Sequence, residues 1–219
     1  MKFGTLYTHA VSPRAVALLA TARTHNLNLE IIHTEQEEHP TAYQKLLAVN
    51  SLGQVPTFVG ADGFVLTEFI PITLYFAAQN DTTTLLGPTR RSNYEILKWM
   101  SFTNSDLLPA IGGCLLPQIE KRQVIRQDHN DSVRALRARC AYLDQHLHGK
   151  GFLVGEQLTV ADFFVAGALI GAYMAWDVAM WKRYPALSKW FRKIVEVQVM
   201  QEVVGELDHF GLPFPAVRE

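Results

Sequence analysis

The sequence predicts an α/β domain followed by an all-α domain, and three observations support this fold class. Strand-like and helix-like segments alternate over roughly the first eighty residues, and only helical periodicity follows them. A short polar run, Asn80-Asp81-Thr82-Thr83-Thr84, separates the two regions. The chain has 219 residues, of which 48% are hydrophobic, enough to bury a sizeable core. We therefore expect two packed domains, residues 1–82 and residues 88–219, with a boundary near residue 85.

The first region has the predicted order β-α-β-α-β-β-α. Ser12 is a typical N-cap residue, and Pro13 suits the first position of a helix, where its missing N–H would have no partner. The β-branched run that follows this helix completes a βαβ unit, so the first two strands should be parallel. A Gly60-Ala61-Asp62-Gly63 turn between two apolar runs predicts a hairpin. Expected strands lie near residues 3–9, 29–34, 57–59 and 64–67, and expected helices near residues 15–25, 40–49 and 68–79.

The second region has helical periodicity only, over residues 94–108, 132–147, 160–176, 186–197 and, more weakly, 200–207. Thr159-Val160-Ala161-Asp162 is a capping box, which marks the start of one of these helices. Its apolar stretch between Asp162 and Asp177 has 14 uncharged residues, fewer than the roughly 18 that a membrane span needs. We expect it to be a core helix.

Composition excludes several classes of function. Lys plus Arg total 20 and Asp plus Glu total 21, a net charge of −1, so no electrostatic attraction to nucleic acid or an anionic membrane is expected. Neither of the two cysteines, Cys114 and Cys140, belongs to a C-x-x-C pair, and we expect both to be buried apolar residues in a reducing, cytoplasmic protein. The histidines are scattered, and the His146-x-His148 pair should point apart, so no metal site is expected.

Two loops have chemistry of their own. Val55-Pro56 directly precedes a strand; a cis bond there would turn the Val55 N–H and C=O toward an extended peptide, whereas a trans proline would simply begin the strand. Leu66-Thr67-Glu68 precedes a helix whose free N–H groups and positive dipole end suit a carboxylate. If Glu68 is the N-cap, Pro71 falls at the third helical position, where a missing donor is harmless.

Six motifs along the chain form a joint pattern: Ser12-Pro13-Arg14, His39-Pro40, Asn50-Ser51-Leu52-Gly53-Gln54-Val55-Pro56, Leu66-Thr67-Glu68, Phe152-Leu153-Val154-Gly155 and Thr159-Val160-Ala161-Asp162. In this combination they resemble those of the cytosolic glutathione transferases, over roughly residues 3–207. Within that superfamily, the segments 58–68, 85–87 and 99–107 look like the transferase-like domain of the gamma chain of translation elongation factor one. The chain also resembles fungal glutathione transferases related to that domain, some of which belong to secondary-metabolite pathways.

The resemblance implies a thioredoxin-like domain that binds glutathione, usually in a homodimer. It places Gln54 and His39 near the glycine carboxylate and Glu68 near the γ-glutamyl end. Phe69 stands where the family usually has a hydroxyl residue, so only backbone N–H groups could serve there. The implied glutathione-binding set is Ser12, Arg14, His39, Gln54, Val55, Pro56, Glu68 and Phe69.

Ser12 is the candidate for activating the glutathione sulfur, because a thiol with a pKa of about 8.5 needs a hydroxyl donor or a helix N-terminus to ionise at neutral pH. An N-cap role alone would also explain it. Thr8 and His9 are alternatives, and Arg14 could supply positive charge.

A pocket for an apolar co-substrate is also implied, since aromatic and Met side chains make an adaptable apolar wall. The candidates for it are Trp99, Met100, Phe102, Thr103, Leu107, Tyr173 and Trp176.

Three functions are open at this point. A glutathione-dependent enzyme could conjugate an apolar electrophile, or isomerise a cis-trans double bond by reversible addition. A non-catalytic scaffold related to the elongation factor would bind a partner through the helical domain. The absence of any cysteine near Ser12 argues against a thioredoxin-type redox protein.

Overall fold

The structure, a computed structural model, describes residues 2–10, 12–121, 123 and 125–218. Over these residues the strands are β1 (Gly4–Thr8), β2 (Leu29–His33), β3 (Thr57–Gly60) and β4 (Val65–Thr67). The helices are α1 (Pro13–Thr24), α2 (Pro40–Val49), α3 (Phe69–Ala77), α4 (Arg90–Phe102), α5 (Leu108–Gln118), α6 (Arg126–Leu147), α7 (Val160–Arg183), α8 (Pro185–Val195) and α9 (Gln198–Val204). The α/β region followed by an all-helical region is confirmed.

The four strands form one sheet with the order β2-β1-β3-β4. β1 and β2 are parallel, as the βαβ pattern predicts, and β3 pairs antiparallel with both β1 and β4. Helices α1 and α3 pack against each other, and α1 also packs along α7, so the sheet region and the helical region share one continuous core.

The helical region differs from the predicted pattern at α5. A five-residue π-helical turn, Thr103–Leu107, links α4 to α5 where a single helix ending near Leu108 was predicted. Helix α5 was not predicted because its sequence contains poor helix formers: Pro109, Gly112-Gly113 and Pro117. Pro109 lies in the first helical turn, where a missing N–H costs little, and packing against α6 and α7 stabilises the rest.

Helix α7 is the centre of the helical region, and the predicted core helix is confirmed. By length and composition it could cross a membrane, yet most of its residues are buried inside the fold. It extends beyond the predicted end, to Arg183, across a kink at Trp176, where φ is −130° and ψ is 28°.

The capping box at the start of α7 is a buried hydrogen-bond network around Asp162. The Asp162 carboxylate accepts hydrogen bonds from the Thr159 N–H (2.9 Å), the Thr159 hydroxyl (3.0 Å), the Leu153 N–H (2.9 Å) and the Trp190 indole N–H (3.1 Å). Burial raises the pKa of Asp162, and the four donated hydrogen bonds oppose that rise. One side chain thereby ties the 153–159 loop and α8 to α7.

We expect Asp162→Ala to lower the free energy of unfolding by about 3–5 kcal/mol, because it leaves buried N–H donors unpaired. Chemical denaturation followed by circular dichroism measures the change. Asp177→Ala on the same helix is the matched control, since the Asp177 carboxylate makes no hydrogen bond or ion pair with the described residues. Equal losses in the two variants would contradict a structural role for this network.

Candidate active site

The functional candidates of the first region lie along one edge of the sheet, the one at which β1 and β4 end and β3 begins. In the register of the strands, Thr57 at the start of β3 lies opposite both Tyr7 on β1 and Thr67 on β4. The loop after β1, the Val55-Pro56 turn and Glu68 each extend one of these strands at that same edge. Three neighbouring strands span about 10 Å, close to the length of an extended tripeptide at about 3.3–3.6 Å per residue.

The loop before β3 presents a free backbone edge at Val55. The Asn50 amide donates hydrogen bonds to the Gln54 carbonyl (3.1 Å) and the Thr57 hydroxyl (2.9 Å), and that hydroxyl also donates to the Gln54 carbonyl (2.8 Å). The Val55-Pro56 peptide is cis. Among the described residues, none forms a hydrogen bond with the Val55 N–H or C=O. Both groups are therefore free for a ligand backbone.

Glu68 is the N-cap of α3, as predicted, but its side chain does not cap the helix. Its φ of 71° lies in the left-handed region that non-glycine residues rarely adopt, and the surrounding fold must stabilise it. The side chain is exposed beside the first turn of α3. A carboxylate and several backbone N–H groups are therefore presented together at the sheet edge.

Ser12 is the N-cap of α1, and its side chain forms no hydrogen bond with the helix. Ser12 is half-buried, and its hydroxyl does not cap the helix, so helix capping does not explain the serine at this position. Of the alternatives, Thr8 is 1% exposed and its hydroxyl lies 3.4 Å from the His9 carbonyl, whereas the His9 side chain is exposed. Arg14 is half-buried and, among the described residues, has no hydrogen-bond or ion-pair partner.

The remaining candidates for glutathione differ in accessibility. His39, the N-cap of α2, and Gln54 both have exposed side chains, while Pro56 is buried beneath the loop. Phe69 is only 3% exposed, and its ring stacks on Phe164 of α7 with centroids 3.7 Å apart. Its side chain packs between the two regions, so only its backbone remains for a ligand.

The predicted apolar wall requires correction. Six of its seven residues, Trp99, Met100, Thr103, Leu107, Tyr173 and Trp176, are 0–1% exposed and pack inside the helical core. Phe102 is half-buried and contacts Tyr142 on α6, with ring centroids 5.6 Å apart. Large apolar side chains at helical spacing were buried between helices because that removes the most apolar surface from water.

Two glycines of α7 lie where neighbouring elements pack closely against this helix. A Cβ at Gly167 of α7 would lie 3.1 Å from the Pro13 carbonyl oxygen, and one at Gly171 would lie 2.9 Å from the Leu115 side chain of α5. These glycines are one turn apart on one face, and Ile170 and Met174 beside them are half-buried. The i, i+4 glycine pair is the sequence signal that could have identified this close packing, because small residues allow close helix approach.

Neither thiol of the chain belongs to this site. Cys114 and Cys140 are both buried, as predicted, and burial raises the pKa of each to about 12. A cavity of about 440 Å³ lies elsewhere, between the linker, the start of α4 and the 154–159 loop, near the first turn of α7. The first turn of α7 is about 16 Å along the helix from Gly171.

Comparisons with known proteins match both regions. The glutathione S-transferase N-terminal domain matches residues 3–78, and the glutathione S-transferase C-terminal domain matches residues 103–197. The chain is 50% identical to glutathione S-transferase mdpJ of Emericella nidulans, covering 97% of this chain and 95% of that protein.

Two solved structures share the fold. The GST-like domain of elongation factor 1-gamma from Saccharomyces cerevisiae has a TM-score of 0.83 at 21% identity, covering all of both chains. Glutathione transferase URE2P6 from Phanerochaete chrysosporium, in complex with oxidized glutathione, has a TM-score of 0.82 at 22% identity, covering 92% of this chain and 94% of that one. The resemblance drawn from the sequence is confirmed.

We expect Phe69→Ser to lower the free energy of unfolding by about 3 kcal/mol, because it removes the ring that packs on Phe164. Phe64→Ser is the matched control: that ring is 43% exposed, and its loss should cost about 1 kcal/mol or less. Thermal and chemical denaturation measure both variants. A Phe69→Ser protein as stable as the control would contradict the role of this stack.

Proposed function

Since the chain belongs to the glutathione S-transferase family, we propose that it is an enzyme that binds glutathione at the sheet edge and adds its sulfur to a small apolar electrophile. One observation supports this most strongly: the unpaired backbone of Val55, the exposed Glu68 carboxylate and the unoccupied Ser12 hydroxyl extend neighbouring strands of one sheet edge. As part of the proposal, residues 1–82 are the glutathione-binding unit and residues 88–219 the helical unit.

The residues of this edge suit the chemistry of glutathione. Val55 would form backbone hydrogen bonds with the extended peptide, as an added strand does. Because Pro56 has no N–H, the Val55 N–H is the backbone donor that this turn offers. Glu68 would accept hydrogen bonds from the γ-glutamyl amine, and the N-terminal N–H groups of α3, including that of Phe69, would bind its carboxylate. Gln54 and His39 would donate to the glycine carboxylate.

The Ser12 hydroxyl would activate the sulfur. A thiol with a pKa of about 8.5 is only a few per cent ionised at pH 7. A hydroxyl that donates a hydrogen bond to the thiolate, at the positive end of the 12-residue helix α1, lowers that pKa, and the Arg14 cation acts in the same direction. Because the buried Cys114 and Cys140 are protonated at neutral pH, the reactive sulfur comes from glutathione.

In the reaction, a sulfur lone pair forms the new S–C bond. With an α,β-unsaturated carbonyl substrate, the π electrons of the double bond move to the carbonyl oxygen, which later takes up a proton. Release of this adduct is conjugation. If the former double bond rotates and the sulfur leaves again, the same site performs cis-trans isomerisation and glutathione is regenerated.

The proposal also covers the setting of the reaction. We assign the enzyme to the cytoplasm and to a fungal secondary-metabolite pathway, on the basis of its resemblance to fungal transferases and its 50% identity with a relative from Emericella nidulans. The alternative function is a non-catalytic scaffold. It rests on the fold shared with the elongation factor 1-gamma domain and on Phe69 in place of the usual hydroxyl residue, which is weaker support than the 50% identity with a transferase.

Calorimetric titration with glutathione and a conjugation assay with 1-chloro-2,4-dinitrobenzene test the function. We expect the wild type to bind glutathione and to be active. Ser12→Ala should lower kcat by about tenfold or more, because it removes the donor to the thiolate, with little change in the glutathione Kd. Its pH–rate profile should shift toward the pKa of a free thiol.

Ser12→Thr, which keeps the hydroxyl, and Ser51→Ala, at an exposed serine of the neighbouring turn, are the controls and should stay active. Unchanged turnover in Ser12→Ala would move the activating role to Thr8, His9 or Arg14. A wild-type protein that shows no binding at millimolar glutathione would refute the enzyme and favour the scaffold.

We further propose that the protein is a homodimer. Tyr94 is 70% exposed and Tyr142 is 47% exposed, and Phe102 connects them: it lies two turns beyond Tyr94 on α4 and contacts Tyr142 on α6. This exposed aromatic face suits a second copy of the chain, since a two-fold axis would bring the same face of each copy together.

We expect Tyr94→Glu to dissociate the dimer, because the two-fold axis places the new charge in the interface twice. Light scattering after size exclusion should find twice the chain mass of 24.6 kDa for the wild type and the chain mass itself for the variant. Val178→Glu, at an 82% exposed residue of α7, is the control and should stay dimeric. A monomeric wild type or a dimeric Tyr94→Glu variant would contradict the proposal.

A further inference from the structure

The chain between β1 and α1 lies beside the turn that follows β2. We call its described residues, His9, Ala10 and Ser12, the Ser12 loop. Because β1 and β2 are parallel, their carboxyl ends meet at the same edge of the sheet, and Thr8 lies opposite the last residue of β2. The Thr34 N–H (3.0 Å) and the Thr34 hydroxyl (3.2 Å) both donate to the Thr8 carbonyl. The turn after β2 therefore fixes the point at which the Ser12 loop begins.

The Glu35 side chain in that turn holds the middle of the Ser12 loop. Its Oε1 accepts a hydrogen bond from the Ala10 N–H (2.5 Å). Among the described residues, this is the only hydrogen bond that ties the Ser12 loop to anything beyond β1 and α1. The second oxygen, Oε2, is buried and has no hydrogen-bond partner within the same part of the chain. The carboxylate is thus turned toward the protein rather than toward water.

The surroundings of Glu35 keep it ionised. The hydrogen bond from the Ala10 N–H holds the pKa of Glu35 below its usual value against the effect of burial, and the nearby His9 and His33 act in the same direction. Glu35 is therefore a carboxylate at neutral pH, and an ionised acceptor makes the stronger hydrogen bond to the Ala10 N–H.

The backbone of Glu35 is fixed to the helix that follows it. The His39 N–H donates to the Glu35 carbonyl (2.7 Å), and the Tyr43 N–H donates to the His39 carbonyl (2.9 Å) at the start of α2. Glu35 therefore contacts both ends of the proposed glutathione site. Its carbonyl binds the backbone of His39, the candidate for the glycine carboxylate, and its side chain binds the Ser12 loop.

The position of Ala10 determines where the Ser12 side chain points. Ser12 has φ of −121° and ψ of 114°, the extended geometry that a residue before proline prefers. Pro13 packs against α7 at Gly167, so the chain that follows Ser12 is fixed. The direction of the Ser12 Cβ then depends on where the preceding chain arrives from. Ala10 is two residues earlier, at most about 7 Å away, so its anchor sets that direction.

We infer that Glu35 is a positioning residue of the proposed reaction: it fixes the Ser12 loop so that the Ser12 hydroxyl points at the glutathione sulfur. This inference rests on the proposed function, in which Ser12 activates the sulfur. Glu35 acts through Ser12 and makes no bond to the sulfur itself. Because a displacement of about 1 Å can cost up to about a hundredfold in rate, a loop released from Glu35 loses most of the effect of the hydroxyl.

Three substitutions separate the reach of the Glu35 side chain from its charge. Glu35→Gln keeps the length and an acceptor oxygen but removes the charge, Glu35→Asp keeps the charge but is one methylene too short, and Glu35→Ala removes both. With 1-chloro-2,4-dinitrobenzene, we expect Glu35→Gln to keep kcat within about twofold and the other two variants to lower it about tenfold. The glutathione Kd should change less than about twofold in all three, since the proposed ligand contacts are untouched.

Glu37→Ala is the matched control and should keep the wild-type kcat. Glu37 lies in the same turn and is exposed, and its side chain makes no hydrogen bond or ion pair with the described residues. Circular dichroism should show that all these variants are folded.

A double variant tests whether Glu35 acts through Ser12. In the Ser12→Ala background, Glu35→Ala should change kcat less than about twofold, because no hydroxyl is left to position. A general loss of stability would lower kcat in both backgrounds alike. The pKa of the bound glutathione thiol, followed by the ultraviolet absorbance of the thiolate, should rise toward about 8.5 in Glu35→Ala and stay unchanged in Glu35→Gln.

Hydrogen exchange of the Ala10 amide tests the anchor without glutathione. Nuclear magnetic resonance of the ligand-free protein should find exchange at least about tenfold faster in Glu35→Asp and Glu35→Ala, and unchanged exchange in Glu35→Gln and Glu37→Ala. If exchange differs in this way but the wild type does not bind glutathione, the proposed function fails while the anchoring of the loop by Glu35 stands.

Three results would overturn the role of Glu35 even in an active enzyme. The first is an Ala10 exchange rate that is the same in all the variants. The second is a wild-type kcat in Glu35→Asp and Glu35→Ala. The third is a loss of kcat in Glu35→Gln as large as that in Glu35→Ala, which would assign the effect to the charge and not to the anchor.

Discussion

Two glycines on one face of α7 set how closely the two regions of the molecule approach. At Gly167 the backbone of α1 comes so near that a Cβ would lie 3.1 Å from the Pro13 carbonyl oxygen. At Gly171 the space that a side chain would occupy is taken by Leu115. Larger residues would push α1 or α5 outward, and Ser12, which directly precedes Pro13, would move with α1. The position of the proposed thiol-activating group therefore depends on this contact.

The register of the sheet is the second constraint on the site. Because β3 pairs with β1 on one side and β4 on the other, the Val55 turn and Glu68 meet at one edge although thirteen positions separate them in the sequence. A slip of one residue in either pairing would turn the side chains of that strand to the opposite face. The buried residues Leu6 and Phe58 oppose such a slip, since it would expose them.

Phe69 shows how packing and ligand binding compete at one position. A hydroxyl residue there would offer a hydrogen bond to a ligand carboxylate, but the Phe69 ring instead stacks on Phe164 and strengthens the contact between the two regions. The first backbone N–H groups of α3 are unaffected by this exchange, because a helix N-terminus supplies them whatever its side chains are. A site built largely from backbone groups tolerates such a replacement.

Local patterns in the sequence determined most of the elements: the alternation of apolar residues, the Ser12-Pro13 helix start, the Asp62-Gly63 turn and the capping box at Asp162. Each depends on neighbours within a few residues, so the sequence alone predicts it. The parallel pairing of β1 with β2 followed in the same way, because a short βαβ connection allows little else.

Tertiary structure decided what no local pattern contains. It placed Trp99 and its neighbours in the core rather than at a pocket and formed α5 despite its prolines and glycines. It also tied Phe210 and Leu212, near the C-terminus, to the backbone of α7. These outcomes depend on which surfaces remain open after the helices have packed. Which surfaces remain open depends on contacts between residues far apart in the chain. Helical periodicity does not predict those contacts or their energies.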